Sequence, residues 1–137
     1  MQYWLMKSEP SAYSWEQLVK DGKTGWTGVR NHQASNNMKA MKKGDRAFFY
    51  HSNEGLAVVG IMEIVKEYHP DPTDKAGKFG MVEVKAVTPV PTPVTMKEIK
   101  ATPALKDMVL VKNSRLSVQP VTALEWKAVC KMGGVKG

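Results

Sequence analysis

The sequence predicts an α+β domain built on a small, curved, mostly antiparallel sheet with short helices around it. Three observations lead there. Strand-like segments outnumber what a helical bundle holds. They do not alternate strictly with helices, so nothing demands a parallel sheet. The chain has 137 residues, enough for one domain with one real core. Such a sheet is expected to curl towards a barrel, because closure removes exposed edges.

The elements follow in order. Tyr3 to Lys7 is short, aromatic and apolar and reads as a strand, ended by Pro10. Ser14 with Gln17 makes a capping box for a helix over Trp15 to Lys20, stopped by Gly22. Lys23 to Arg30 is rich in turn-formers and reads as a loop. Asn31 caps a second helix over His32 to Lys42, with Ala34, Met38 and Met41 on one face and Gly44 as the stop.

Asp45 to His51 and Leu56 to Tyr68 are strands joined by the turn Ser52-Asn53-Glu54-Gly55. Gly60 inside the second marks a bulge or a close backbone approach. His69 to Gly80 is a loop. Met81 to Val90 alternates as a strand, stopped by Pro89, Pro91 and Pro93.

Thr95 to Lys100 is a short helix, and Leu105 to Leu110 is open between helix and strand. Arg115 to Val118 is a short strand, with Leu116 and Val118 facing opposite to Ser117. Thr122 and Glu125 box the start of a last helix that stops at Gly133. The whole chain, 1–137, is expected to be one domain, with 134–137 a mobile tail.

Composition narrows the function. Hydrophobic residues make up 42% and charged residues 24%, which excludes wholesale disorder. One cysteine, Cys130, excludes a disulfide framework and a Cys-based zinc site, and reads as packing. No segment has the ~20 apolar residues that span a bilayer. The N-terminus lacks a signal-peptide layout, so the expected location is the cytoplasm, with no membrane partner. The chain is expected to be a monomer. Lys and Arg number 20 against 13 Asp and Glu, and this excess of +7 points to a polyanion such as nucleic acid.

Several chemistries find no support. His32, His51 and His69 lack metal-ligand spacing, so neither a metal nor another cofactor is expected. Gly22-Lys23-Thr24 has Gln17 where a phosphate loop needs glycine. No serine sits in a nucleophile elbow. The nine methionines are scattered and read as core filler. Lys42, Lys43, Lys97, Lys100, Lys106 and Lys112 fit either solvated faces or a phosphate track.

Four clusters carry candidate chemistry. The segment Trp26-Thr27-Gly28-Val29-Arg30-Asn31-His32-Gln33-Ala34 joins a flat ring, a cation and base-reading amides. The plain alternative is that Trp26 covers the core and Asn31 only caps a helix. Tyr50-His51-Ser52-Asn53, Lys7-Ser8-Glu9-Pro10 and Arg115-Leu116-Ser117-Val118-Gln119-Pro120 lie where strands leave or enter the sheet. Such positions line pocket rims, though Ser and Asn also favour ordinary turns.

Taken together the sequence resembles the EVE domain, a branch of the PUA-like superfamily, nearest to the thymocyte nuclear protein group and its bacterial relatives. The resemblance rests on Trp4 to Pro10, Tyr13-Ser14-Trp15, Trp26 to Ala34, Met38 and Met41 before Gly44-Asp45, Phe48 to Asn53, Gly60-Ile61, Tyr68 with Pro70-Asp71, and Arg115 to Val121. His32 stands where many relatives have Tyr, which is expected to change the pocket rim.

The resemblance implies a PUA-like fold and a nucleic-acid reader that takes a modified base, of DNA or RNA, into an aromatic-walled pocket. It implies Trp26 as the stacking wall. Asn31, Ser8, Ser52 and Ser117 become candidates for the base edge, Tyr50 and His51 for the floor, and Lys7, Arg30 and Arg115 for phosphate or rim. The energetics are coherent: flipping costs a few kcal/mol, one aromatic stack returns ~1–3 kcal/mol, and backbone charge supplies a salt-dependent remainder. Two other readings stand beside it. One is a hydrolase of a modified nucleoside using Lys7 and Glu9 with Tyr50 or His51. This requires the first strand to continue through Glu9. The other is a protein-interaction module using the basic face.

Overall fold

The computed structural model describes residues 1–53, 55–113 and 115–135. Within them the chain runs β1 (Tyr3–Ser8), α1 (Trp15–Asp21), β2 (Lys23–Gly25), α2 (His32–Ala40), β3 (Arg46–His51), β4 (Ala57–Pro70), β5 (Gly80–Thr95), α3 (Met96–Lys100), a 3-10 turn (Pro103–Leu105), α4 (Val109–Lys112), β6 (Val118–Val121) and α5 (Ala123–Gly133). The described strands form one six-stranded sheet in the order β2-β5-β4-β3-β1-β6. Only β1 and β3 run parallel; their neighbours pair antiparallel. The mostly antiparallel α+β class is therefore correct. The hydrogen-bonded order ends at β2 and β6, so the sheet curls without closing through backbone pairs.

Alternation along the strands builds two cores. Trp4 and Met6 of β1, with Ala47 and Phe49 of β3, face the side covered by Trp15 and Leu18 of α1 and Ala34 and Met38 of α2. Leu5, Phe48 and Tyr50 face the other side, under Ile99, Leu105, Leu110, Trp126 and Val129. There the Trp126 ring stacks on Phe48 at 3.9 Å and on Tyr3 at 4.5 Å. Met6, Met38 and Met62 are fully enclosed, so methionine does fill the core. Cys130 lies in the second core at 3% exposure, and burial pushes its thiol pKa up. A thiol reagent at pH 8 is therefore expected to label Cys130 only after unfolding; rapid labelling of the native protein is the contrary result.

Four expectations need correction. The segment from Lys23 to Arg30 is not all loop: Lys23–Gly25 pairs with Lys85, Val84 and Glu83 of β5. Three residues carry no strand signal of their own, and the long β5 edge supplies the pairing. The strand expected to stop at Val90 continues to Thr95 through Pro89, Pro91 and Pro93. Pro91 and Pro93 fall in the register break between Pro89 and Val94, where no β4 residue is paired with them, and the β2 pairing ends at Lys85. The last strand is Val118–Val121 rather than Arg115 to Val118, with Pro120 on the edge strand. The second helix ends at Ala40, two residues early.

The open stretch Leu105 to Leu110 is helical at both ends. The expected capping box at Thr122–Glu125 is formed, and Thr95–Glu98 makes another. At Ser14 only half of the box is made, because the Gln17 N–H donates to the Ser14 hydroxyl while the Gln17 side chain donates to Asp21. At the C-terminus, Gly134 adopts a left-handed cap and the Val135 N–H bonds the Cys130 carbonyl at 2.8 Å. Lys136 and Gly137 of the expected tail, and Glu54 of the expected turn, lie outside the described residues. No described helix is long and apolar enough to cross a membrane.

Candidate nucleic-acid interface

β1 and β3 are parallel and in register, with Lys7 beside Tyr50 and Ser8 beside His51. Their exits therefore lie at one end of the sheet. The chain on either side is bonded to that end. Ser52 N–H donates to the Ser8 carbonyl at 3.0 Å, and Lys7 N–H donates to the Ser117 carbonyl at 2.9 Å. Three of the four clusters seen in the sequence thus meet on one backbone network. Ser52 and Ser117 take part through their main chains.

A cleft of about 360 Å³ opens here, lined by Lys7, Ser8, Ala12, Tyr13, Thr24, Gly25, Trp26 and Thr27. β1 and β2 stand four places apart in the sheet order, so only the curl of the sheet brings them to one cleft. The Ser8 hydroxyl donates to the Tyr13 carbonyl at 2.7 Å, leaving its lone pairs for a ligand. The Tyr13 hydroxyl donates to Asp21 at 2.8 Å; burial and then this carboxylate hold its pKa above the usual value.

Trp26 is 7% exposed and packs edge-on against Phe49 at 5.5 Å. It belongs to the first core and lines the cleft at once, so the two readings of this residue are compatible.

Burial lowers the Lys7 pKa, and its Nζ lies 5.7 Å from the Tyr50 ring centre. The Tyr50 hydroxyl is buried without a hydrogen-bond partner among the described residues, and burial pushes its pKa up to about 12. His51 Nε2 accepts the Trp15 backbone N–H at 3.2 Å. That bond needs the neutral ring with its proton on Nδ1. Burial lowers the His51 pKa in the same sense, against the opposing charge of Glu16. β1 ends at Ser8, and Glu9 is exposed in the turn that follows. The strand continuation that would set Lys7 and Glu9 on one face is not there.

The remaining residues lie apart. Asn31 is exposed, and its side-chain carbonyl caps α2 by accepting the Ala34 N–H at 2.9 Å. Arg30 reaches the β4–β5 connection, donating to Asp71 at 3.1 Å and Thr73 at 3.0 Å. His32 packs on Phe79 at 5.0 Å, outside the residues lining the cleft. Arg115 is exposed on the turn before β6.

Sequence reasoning missed Tyr13, Thr24 and Thr27 as lining residues, and Asp71 as the brace of the loop that carries Trp26. The Asp71 side chain is fully buried. It accepts the Gly28 N–H at 2.9 Å, Arg30, and both the N–H and hydroxyl of Thr73 at 2.7 Å. Burial alone would raise its pKa; these donors outweigh it and hold the carboxyl at about 2. Asp-Pro-Thr is an Asx-turn signature, so the local bonds to Thr73 were foreseeable. The bonds across 41 and 43 residues of sequence were not.

A sequence model of the EVE domain matches residues 2–132. Thymocyte nuclear protein 1 of Homo sapiens is 38% identical over 164 aligned residues, covering 95% of this chain and 73% of the human one. An NMR structure of a Rhodopseudomonas palustris protein superposes with a TM-score of 0.93 at 62% identity, covering 98% of this chain and 94% of that one. The human THYN1 protein, crystallised in complex with 5-methylcytosine containing DNA, superposes with a TM-score of 0.92 at 35% identity and covers 100% of both chains. The match spans nearly every element described above, and the chain belongs to the EVE domain family.

Proposed function

We propose that this protein binds nucleic acid and holds one modified base in the cleft between β1 and β2. The observation that carries the reading is the cleft itself. Its volume of about 360 Å³ sits at the small end of the ~300–1,000 Å³ usual for ligand sites, which suits one flat heterocycle. Trp26 and Tyr13 give it aromatic lining, Ser8, Thr24 and Thr27 supply hydroxyls for a base edge, and Lys7 stands at the rim. Ser52, Ser117, Tyr50 and His51 support β1 and its exit. Asn31, Arg30 and Arg115 act outside the cleft.

The DNA complex of the human relative, 35% identical over the full length, supports the reading, as does the net charge of +7. A base in a single strand costs least to unstack. An added methyl group read by shape alone is worth ~1–3 kcal/mol, so a preference of tenfold or more is expected. The test is an NMR titration at low salt with short single-stranded oligonucleotides in modified and unmodified pairs. The Trp26 indole and the Lys7, Ser8 and Thr24 amides are expected to shift with one modified member only. Equal shifts for both members, confined to Lys and Arg, would mean that only the backbone is bound.

A further inference from the structure

A second recess of about 260 Å³ lies beside α2 and the β4–β5 connection, with Lys39, Tyr68, Lys78 and Phe79 among its walls. Lys39 Nζ lies 5.5 Å from the Tyr68 ring centre, and beside the recess the Arg30 guanidinium lies 5.9 Å from that of Phe79. The carboxylates around the recess contact the protein's own donors: Glu83 lies 3.3 Å from His69 Nε2 and 3.7 Å from Lys66, and Glu67 accepts the Lys43 N–H at 3.2 Å. Asp71 is buried on Gly28, Arg30 and Thr73, and Asp74 accepts the N–H groups of Ala76, Lys78 and Phe79. The face therefore presents cations while its acids bond to the protein.

The recess is also tied to the cleft. The loop that places Trp26 in the cleft ends at Arg30, which is anchored to Asp71 and Thr73 beside the recess. Four residues of chain span at most about 14 Å, so the two sites lie within reach of a single strand.

The geometry points to this recess as the track for the sugar-phosphate backbone of the DNA strand whose base enters the cleft, with Lys39 and Lys78 taking phosphates. The assignment deepens the reading of the cleft and rests on it for the identity of the strand. It follows that removing the two lysines weakens binding of modified and unmodified strands alike, because phosphate contacts carry no sequence information.

The test compares wild type with Lys39→Gln/Lys78→Gln, using a short single-stranded DNA that contains 5-methylcytosine and its unmethylated twin across a salt series. Each lost phosphate contact lowers the slope of log K against log salt by about 0.7, so the double variant is expected to lose about 1.4. The affinity ratio between the twins is expected to stay unchanged. Lys97→Gln/Lys100→Gln on α3, which packs on the opposite core, removes the same charge and is expected to leave the slope nearly intact. Both pairs are exposed, so the thermal melts of the two variants are expected to match wild type. A slope equal to wild type in the first pair, or an equal drop in the control pair, overturns the track. Failure of the wild type to bind either strand overturns both the track and the cleft reading. Loss of base preference alone counts against the cleft reading only, since the slopes still decide the track.

Discussion

Gly60→Ala is expected to destabilise the protein by about 3 kcal/mol, at the upper end of what overpacking costs. Gly60 lies in β4, opposite Phe49 and Pro89, with irregular register beside it in both ladders. A Cβ there would stand 2.4 Å from two carbons of the Trp15 indole. That ring is rigid, 6% exposed and packed edge-on against Phe49 at 5.7 Å, so it has nowhere to swing. The loss corresponds to a drop in melting temperature of about 10 °C for a chain of this size. Gly25→Ala is the contrast. Its new Cβ meets the flexible end of Met81 at 3.1 Å, and a loss below about 1 kcal/mol is expected. Urea unfolding of both variants decides the matter, read as a midpoint shift at constant slope. A Gly60→Ala midpoint near wild type would show that Trp15 can move, and the account of this contact would be wrong.

Asp71→Ala is expected to cost about 2–4 kcal/mol. It leaves the Gly28 and Thr73 N–H groups without their acceptor and removes the partner of Arg30, whose own partial exposure moderates the loss. Asp71→Asn keeps the shape but replaces one acceptor oxygen with an amide that meets only donors. This predicts most of the same loss. The pH dependence gives the sharper check. The folded carboxyl titrates at about 2, below the ~3.9 of an unfolded chain. Its stabilisation is therefore complete above pH ~4 and is lost as the pH falls through 2, because the unfolded state takes up the proton first. The gap between wild type and Asp71→Asn should narrow in acid. A gap of the same size at pH 7 and pH 2 would remove the carboxylate from its role. Because the same carboxylate braces the loop that places Trp26, the variant is also expected to weaken oligonucleotide binding while still folded at pH 7.

How legible the site was depends on how local its parts are. Ser14 and Thr122 announced their helices because a cap and its partner lie three residues apart. Gly60 announced a close approach because glycine in a strand needs a reason, although Trp15 as the neighbour was not visible. β2 went unread because three residues have no pattern and their partners lie some sixty positions away. The run of prolines misled for a related reason: whether a missing N–H matters depends on where the ladder lapses, and only the assembled sheet settles that.

By itself the sequence determined the class of fold, the family, most element starts and the grouping of polar residues at the exits of β1 and β3. These follow from periodicity, capping and short motifs, which act over a few residues. The tertiary structure decided what those residues share. It set β2 against the exit of β1 to make one cleft, sent Arg30 to Asp71 and away from that cleft, and kept Trp26 in both core and lining. The physical reason is that curvature and long-range pairing sum small twists and contacts over the whole sheet, and no window of sequence contains that sum.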